Sequence, residues 1–242
     1  ALWDGTASSK WSRTDDAAEF ADPVAAVNNG DGSSPFDNLL PWSGMTVVDD
    51  TECGKLVKIP KFWFKWTKNG DQLQLQISDS AVPGFYVSPA HADRGDGTGE
   101  RDVVYVGRYH CATSTYKSTS GAKPATYCQV GSVRNSIHAL GSKVWQYDIA
   151  MFWTIRMLYL VEFADWNSQN TIGAGCGSAS TRKIEAVGAT DGMAYHTGTR
   201  AASRSEYDAG IQYRNIEGLW SNVTDFVDGL LLLNYGLNTS VK

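Results

Sequence analysis

The charged residues of one long apolar stretch are the first candidates for chemistry in this 242-residue chain. The stretch and its end contain Asp148, Arg156, Glu162 and Asp165. Carboxylates near a cation are a pattern found in acid–base catalysis. Charges on a mostly apolar helix are more often paired inside the protein, however, because an unpaired buried charge is costly. We therefore expect these four residues to be structural.

Other residue types used in catalysis are dispersed along the sequence. The histidines are His91, His110, His138 and His196, and they form neither an H-x-H nor an H-E-x-x-H pattern. The sequence contains no G-x-S-x-G motif and no phosphate-binding glycine loop. It therefore predicts no catalytic residue, no bound redox metal and a protein that is not an enzyme.

One acidic loop leaves a calcium site open as an alternative. The loop contains Asp93, Asp96, Glu100 and Asp102, and Ca²⁺ prefers such an oxygen-rich composition. Because the spacing does not fit an EF-hand, we expect a solvated acidic loop and no cofactor, with bound calcium as the alternative.

The four cysteines give a second open alternative. They are widely spaced and form no C-x-x-C pair, so no thiol is framed as a zinc ligand. Cys111 and Cys128 bracket a loop rich in Ser, Thr and Gly. The sequence leaves open whether they form a disulfide or remain buried thiols.

The composition favours a binding module. Hydrophobic residues make up 42% of the chain and charged residues 19%, as in globular proteins. Nine Trp, eleven Tyr and 24 Gly are typical of a loop-rich domain with aromatic contact surfaces. The net charge of −5 argues against a nucleic-acid partner. The charges within residues 144–164 argue against membrane insertion.

Recognition side chains are predicted in an irregular segment, residues 171–210. This segment has many small residues and no sustained hydrophobic period, so it reads as loops, and loops on a rigid core commonly carry binding residues. The aromatic and guanidinium groups that dominate interfaces occur within it. The expected ligand-binding residues are Tyr195, His196, Arg200, Arg204 and Tyr207.

The elements that position these residues follow from hydrophobic periodicity. Alternating runs at 62–67 and 72–77 are separated by Asn69-Gly70, which predicts a β-hairpin with a type I′ turn. Strands are expected at 85–87 and 103–109. A short helix capped by Ser132 should run to Leu140, and a long, mostly apolar helix should cover residues 143–166. Residues 1–45, rich in turn residues, are predicted as an N-terminal strap or linker, and residues 46–242 as one binding domain.

Several segments resemble phage tail and minor structural proteins. They are I-P-K-F-W-F-K at 59–65, V-W-Q-Y-D at 144–148, M-L-Y-L-V-E-F-A-D-W-N at 157–167, G-A-T-D-G-M at 188–193, Y-H-T-G-T at 195–199 and Y-R-N-I-E-G-L-W-S-N at 213–222. That family is similar to the C-type-lectin-like fold of formylglycine-generating enzymes and of the variable adhesins of diversity-generating retroelements. The resemblance implies an α+β, C-type-lectin-like (formylglycine-generating-enzyme-like) domain with much irregular structure, one N-terminal β-hairpin and one long buried helix.

The resemblance also implies structural roles for particular residues. An E-x-x-x-W pattern corresponds to Glu162 and Trp166, and an N-V-x-[DE]-[WF] turn begins at Asn222. The enzymes of the superfamily hold copper with a late pair of cysteines, whereas no cysteine follows Cys176 here. This departure removes the enzymatic implication, so the three residues are carried over as structural.

The function that the resemblance implies is host attachment. We expect a receptor-binding adhesin domain of a bacteriophage tail fibre or tail tip, located on the virion and exposed to the extracellular medium. Its partners would be a bacterial cell-surface protein or glycan and other tail proteins, in a homo-oligomer such as a trimer. The alternative is a structural decoration or baseplate protein of the particle that binds no receptor.

Overall fold

The computed structural model describes residues 1–176, 185–207 and 209–229, together with the backbone of residues 232–235 and 238–241. Within these residues the chain forms small sheets and α-helices, in agreement with the α+β class. The strands are β1 (Leu2–Trp3), β2 (Ala26–Val27), β3 (Thr46–Asp50), β4 (Gly54–Pro60), β5 (Trp63–Asn69), β6 (Gln72–Ser78), β7 (Tyr86–Val87), β8 (Val103–Gly107), β9 (Gly198–Thr199), β10 (Ile211–Tyr213), β11 (Ile216–Glu217), β12 (Leu232–Tyr235) and β13 (Asn238–Val241). The helices are α1 (Val130–His138), α2 (Ile149–Phe163) and α3 (Ser168–Thr171).

The strands pair in four small groups among the described residues. Their orders are β1-β6-β5-β7, β3-β4-β8, β11-β10-β9-β2 and β12-β13. Strand β2 pairs in parallel with β9, whereas the other strand pairs are antiparallel. Early and late parts of the chain therefore meet in one sheet, which places residues near position 30 beside residues near position 200.

The predicted hairpin is present, but its turn differs from the expectation. Asn69 pairs directly with Gln72, so the two central turn residues are Gly70 and Asp71, and the expected Asn-Gly turn is wrong. Gly70 has a φ of 59°, and a positive φ at the first central position is the pattern of a type II′ turn. Leu75 of β6 is fully buried, as alternation of apolar and polar residues requires.

The long helix is shorter at both ends than its hydrophobic pattern suggests. Helix α2 begins after Asp148, whose side chain accepts a hydrogen bond from the Met151 backbone N–H at 2.8 Å. It ends at Phe163, and the next residue, Ala164, adopts the left-handed conformation with φ 51° and ψ 41°. The apolar composition continues before Asp148 and after Ala164, but the helix does not, because Asp148 caps its first turn and the left-handed backbone of Ala164 ends its last.

The short helix, in contrast, begins earlier than predicted. Helix α1 starts after Gln129 and ends at His138, so Ser132 lies inside it and does not cap it. The other predicted strands are present in shortened form, at Tyr86–Val87 and Val103–Gly107.

Residues 1–45 share the core of the residues that follow them. Leu2 and Trp3 pair with β6, and the side chains of Trp11, Phe36 and Trp42 are buried. The core also takes in the second half of α2, which is buried on all sides: Leu158 and Leu160 point to opposite sides of the helix, and both are fully buried. Burial of such large apolar side chains contributes about 1.5–3 kcal/mol each. No helix in the described residues has the length and apolar character needed to cross a membrane.

Candidate functional site

An open pocket forms between the N-terminal strap (residues 1–45) and the hairpin of β10 and β11, which we call the late hairpin. Strands β10 and β11 pair with Tyr213 opposite Ile216, so Arg214 and Asn215 form the connecting turn. Both have positive φ, 47° and 68°, which is the pattern of a type I′ turn. The pocket, of about 480 Å³, is lined by residues between 42 and 47 and by Asp37, Tyr195, His196, Arg214 and Asn215.

A buried ion cluster forms the floor of this pocket. Arg214 is 2% exposed and donates to the Glu162 carboxylate from Nη2 (2.5 Å) and Nε (3.1 Å). The hydroxyl of Tyr213 donates to the same carboxylate at 2.9 Å, and Arg214 Nη2 lies 2.8 Å from Asp37 Oδ1. Burial acts to lower the pKa of Arg214, but the charge and hydrogen bonds of Glu162 outweigh it and raise that pKa overall. Arg214 is therefore a fixed cation between two carboxylates.

Tyr195 and His196 adjoin this cluster, and both are hydrogen-bonded to Asp37. The Tyr195 hydroxyl donates to Asp37 Oδ2 at 2.8 Å, and His196 Nε2 lies 3.0 Å from Asp37 Oδ1. Burial, followed by the charge of Arg214, lowers the pKa of His196, which favours the neutral ring. Burial and the hydrogen bond to Asp37 raise the pKa of Tyr195. The pocket thus presents the fixed hydrogen-bonding groups of Tyr195 and His196 beside an Asp37 carboxylate that is already paired with Arg214.

The structure brings only two of the five expected ligand-binding residues together. The rings of Tyr195 and His196 lie 4.0 Å apart at the pocket. Arg204 instead donates from Nη2 to the Ala25 carbonyl at 2.8 Å. Arg200 and Tyr207 are exposed, and Tyr207 is 50% exposed. Residues 177–184 and 208 of the expected binding segment lie outside the described residues.

The residues expected to be structural all make internal contacts. Glu162 is fully buried in the ion cluster. The Trp166 ring packs edge-on against Trp11, with ring centroids 5.0 Å apart. Asn222 exchanges two hydrogen bonds of 2.9 Å with the backbone of Glu185. These contacts join loops that have little regular secondary structure.

The other charges of the long apolar stretch are also held within the protein. Asp148 pairs with Arg94, and Asp165 lies 3.2 Å from Lys10 Nζ. The Arg156 guanidinium lies 5.4 Å from the Trp166 ring centroid, a cation–π distance.

A second polar network, not predicted from the sequence, holds the loop at residues 188–191. Glu217 accepts hydrogen bonds from the backbone N–H groups of Gly188 (2.7 Å) and Thr190 (2.8 Å). Tyr109 donates to Asp191, and burial together with that bond raises the pKa of Tyr109 to about 12. Arg108 Nη2 lies 3.4 Å from the same carboxylate. The network connects β8 and β11 to the loop that leads towards the pocket.

One serine–histidine contact has the residue types of a nucleophile and its base. Ser88 Oγ hydrogen-bonds His91 Nδ1, and His91 Nε2 lies 3.1 Å from the Ile59 carbonyl oxygen. Since a carbonyl only accepts, Nε2 carries the proton and Nδ1 accepts from the serine. Both side chains are fully buried, and burial lowers the pKa of His91 to about 4. A substrate cannot reach this pair, so its role is structural.

Carboxylates of the acidic loop pair with neighbouring cations. Asp96 pairs with Arg101, and Asp102 Oδ1 lies 2.6 Å from Lys61 Nζ. Among the described residues, no group of three or more His, Cys, Asp or Glu side chains could hold a metal ion.

The Cys111 and Cys128 thiols are not joined in a disulfide. Burial raises the pKa of the Cys111 thiol, which disfavours its reactive thiolate form.

Comparisons of the chain with protein-family models, with curated proteins and with solved structures found no match. The site is therefore interpreted from its own geometry. The sequence identified Tyr195, His196 and Glu162 but not Asp37 and Arg214, whose roles depend on contacts between residues that are far apart in the chain. Arg214 lies within a motif quoted for the resemblance, which was the available signal.

Proposed function

We propose that this chain is a non-catalytic receptor-binding domain, the adhesin of a bacteriophage tail fibre or tail tip, which binds a bacterial surface protein or glycan. The observation that carries the binding assignment is the pocket around Asp37. Its titratable side chains are bonded to one another, since the Asp37 carboxylate oxygens lie 2.8–3.0 Å from polar atoms of Tyr195, His196 and Arg214. A general base or nucleophile needs a proton or lone pair free for the substrate, whereas fixed polar groups in a pocket of this size suit ligand binding.

The arrangement of the surrounding loops also supports binding. The segment 185–207 has little regular structure, yet Glu217 and Asn222 tie it to the core through buried or half-buried hydrogen bonds. Preorganised loops lose less conformational freedom on binding, which strengthens affinity. The exposed side chains of Arg200 and Tyr207 are of the types that dominate interface energetics.

The finer fold and the biological setting belong to the same proposal. A C-type-lectin-like arrangement is supported by the short strands, the long loops and the one long buried helix. The tail location, contacts with other tail proteins and a homo-oligomeric state are supported by the resembling motifs. Several weak sites on one particle would together bind a cell more tightly than one site does, because the later contacts form within an existing complex.

The test is adsorption of the purified protein to a panel of gut and soil bacteria. Alanine variants at Tyr195, His196, Arg200, Arg204 and Tyr207 are assayed in parallel for adsorption and for thermal melting. We expect Tyr207→Ala and Arg200→Ala to weaken adsorption without lowering the melting temperature, because both side chains are exposed. His196→Ala should affect both, since its ring contacts Asp37.

Two results would count against this proposal. If adsorption survives all five substitutions but is abolished by changes in the loop 112–127, the binding site lies elsewhere. If the protein adsorbs to no cell yet is retained in assembled particles, the chain is a structural decoration or baseplate component.

A further inference from the structure

A second aromatic surface lies away from the Asp37 pocket, at the junction of α1 and α2. Trp145, just before α2, is 58% exposed. One face of its indole stacks on the His138 ring at the end of α1, with centroids 4.2 Å apart and planes inclined by 19°. Much of the indole surface that His138 does not cover is therefore exposed. Large aromatic side chains are usually buried, so an exposed, supported indole suggests a contact surface.

The support beneath the indole is fixed by hydrogen bonds. His138 Nδ1 lies 3.0 Å from the Val144 carbonyl oxygen, so the ring nitrogen donates there and its orientation is set. Because Val144 precedes Trp145, this bond also ties the two stacked residues together. We call the stacked pair of Trp145 and His138 the indole platform.

The two chain segments that carry the platform are also locked to each other. Arg134, one helical turn before His138, forms a bidentate pair with Asp228, with N–O distances of 2.8 and 2.7 Å. The Asp228 backbone bonds Tyr147 and Ile149, both at 2.9 Å. The platform is therefore held in place before any ligand arrives, which lowers the entropic loss on binding.

The chemistry of this surface fits a sugar ring. The face of an indole carries partial negative charge, and the axial C–H groups of a pyranose carry partial positive charge on a flat, apolar face. Arg134 lies on the same face of α1 as His138, and with its partner Asp228 it supplies hydrogen-bond donors and acceptors next to this ring. A flat aromatic ring with polar groups at its edge can stack a pyranose and orient its hydroxyls.

We propose that the indole platform binds a pyranose ring of a glycan, at a site separate from the Asp37 pocket. The site goes beyond the proposed receptor function, and its ligand class can be tested on the isolated protein. The stacked pair provides the flat contact, and Arg134 and Asp228 orient the hydroxyl groups.

The experiment titrates the full chain with cellohexaose, maltoheptaose and chitohexaose, followed by tryptophan fluorescence and by saturation-transfer NMR. We expect at least one of these to bind and Trp145→Ala to weaken that binding about tenfold or more, the equivalent of about 1.4 kcal/mol of lost stacking. Trp145→Tyr should retain most of it, and His138→Ala should weaken it less than Trp145→Ala. The matched control is Tyr105→Ala, which removes an equally exposed aromatic ring (51% exposed) from β8 and should leave binding unchanged.

The proposal fails if the wild-type chain binds none of the three oligosaccharides, or if Trp145→Ala binds them as the wild type does. It also fails if Trp145→Ala lowers cell adsorption while sugar binding is absent, because the surface would then contact a protein. Loss of adsorption through Arg200 or Tyr207 alone bears on the proposed receptor function and not on the platform.

Discussion

Replacement of Glu162 by alanine should destabilise the fold severely. The Glu162 carboxylate is the main partner of the buried Arg214 guanidinium, through bonds of 2.5 and 3.1 Å, and it also accepts from the Tyr213 hydroxyl. Without it, Arg214 keeps Asp37, whose side chain is 28% exposed, and a contact of 3.2 Å from Nη1 to His196 Nε2. Removal of one partner of a buried ion pair costs about 3–5 kcal/mol, because the other charge stays buried and poorly compensated.

The assay is urea unfolding of the wild type, Glu162→Ala, Arg214→Met and the double variant. If the cost comes from the uncompensated guanidinium, the double variant should be more stable than Glu162→Ala, because an apolar pair avoids the desolvation of both charges. The matched control is Glu19→Ala, which removes an exposed carboxylate and should change the free energy of unfolding by less than about 0.5 kcal/mol.

Two results would refute this reasoning. A loss of less than about 1 kcal/mol in Glu162→Ala would show that water or Asp37 compensates the guanidinium. A variant that keeps its stability but loses cell adsorption would make Glu162 a binding residue and reverse the structural assignment.

Two further predictions concern protonation and helix capping. Burial lowers the pKa of His91 to about 4, below the value of about 6.5 in the unfolded chain, so the unfolded state takes up the proton first on acidification. The stability associated with neutral His91 is complete above about pH 6.5 and is lost towards pH 4, by about 3 kcal/mol in all. In urea unfolding, the free energy of His91→Gln should therefore depend on pH less than that of the wild type, by about the same amount. An unchanged pH dependence would contradict the assignment. Asp148→Ala should cost about 1 kcal/mol by removing the cap on the Met151 N–H. Asp148→Asn should retain most of that stability in thermal melting, and an equal loss in both variants would assign the effect to the ion pair with Arg94 instead.

The sequence by itself determined the elements whose signals are local. Strict alternation of apolar and polar residues placed β5 and β6, and a continuous apolar run placed α2, because side-chain periodicity follows directly from backbone geometry. The ends of these elements were less well predicted. Asp148 is a cap and not a helical residue, and Gly70 takes the first turn position and not the second. Composition cannot distinguish such alternatives when two neighbouring registers are both chemically allowed.

Only the tertiary structure decided which polar residues act together. Asp37 and Arg214 are 177 positions apart, yet their side chains lie 2.8 Å apart, because β2 and β9 pair and bring the strap beside the late hairpin. The same pairing ties Tyr195 and His196 to Asp37 and leaves Tyr207 on the surface. Stacking of His138 on Trp145 likewise depends on the turn after α1, which brings the Val144 carbonyl to within 3.0 Å of His138 Nδ1. Contacts of this kind arise from chain topology, and a single sequence carries no local periodic signal for them.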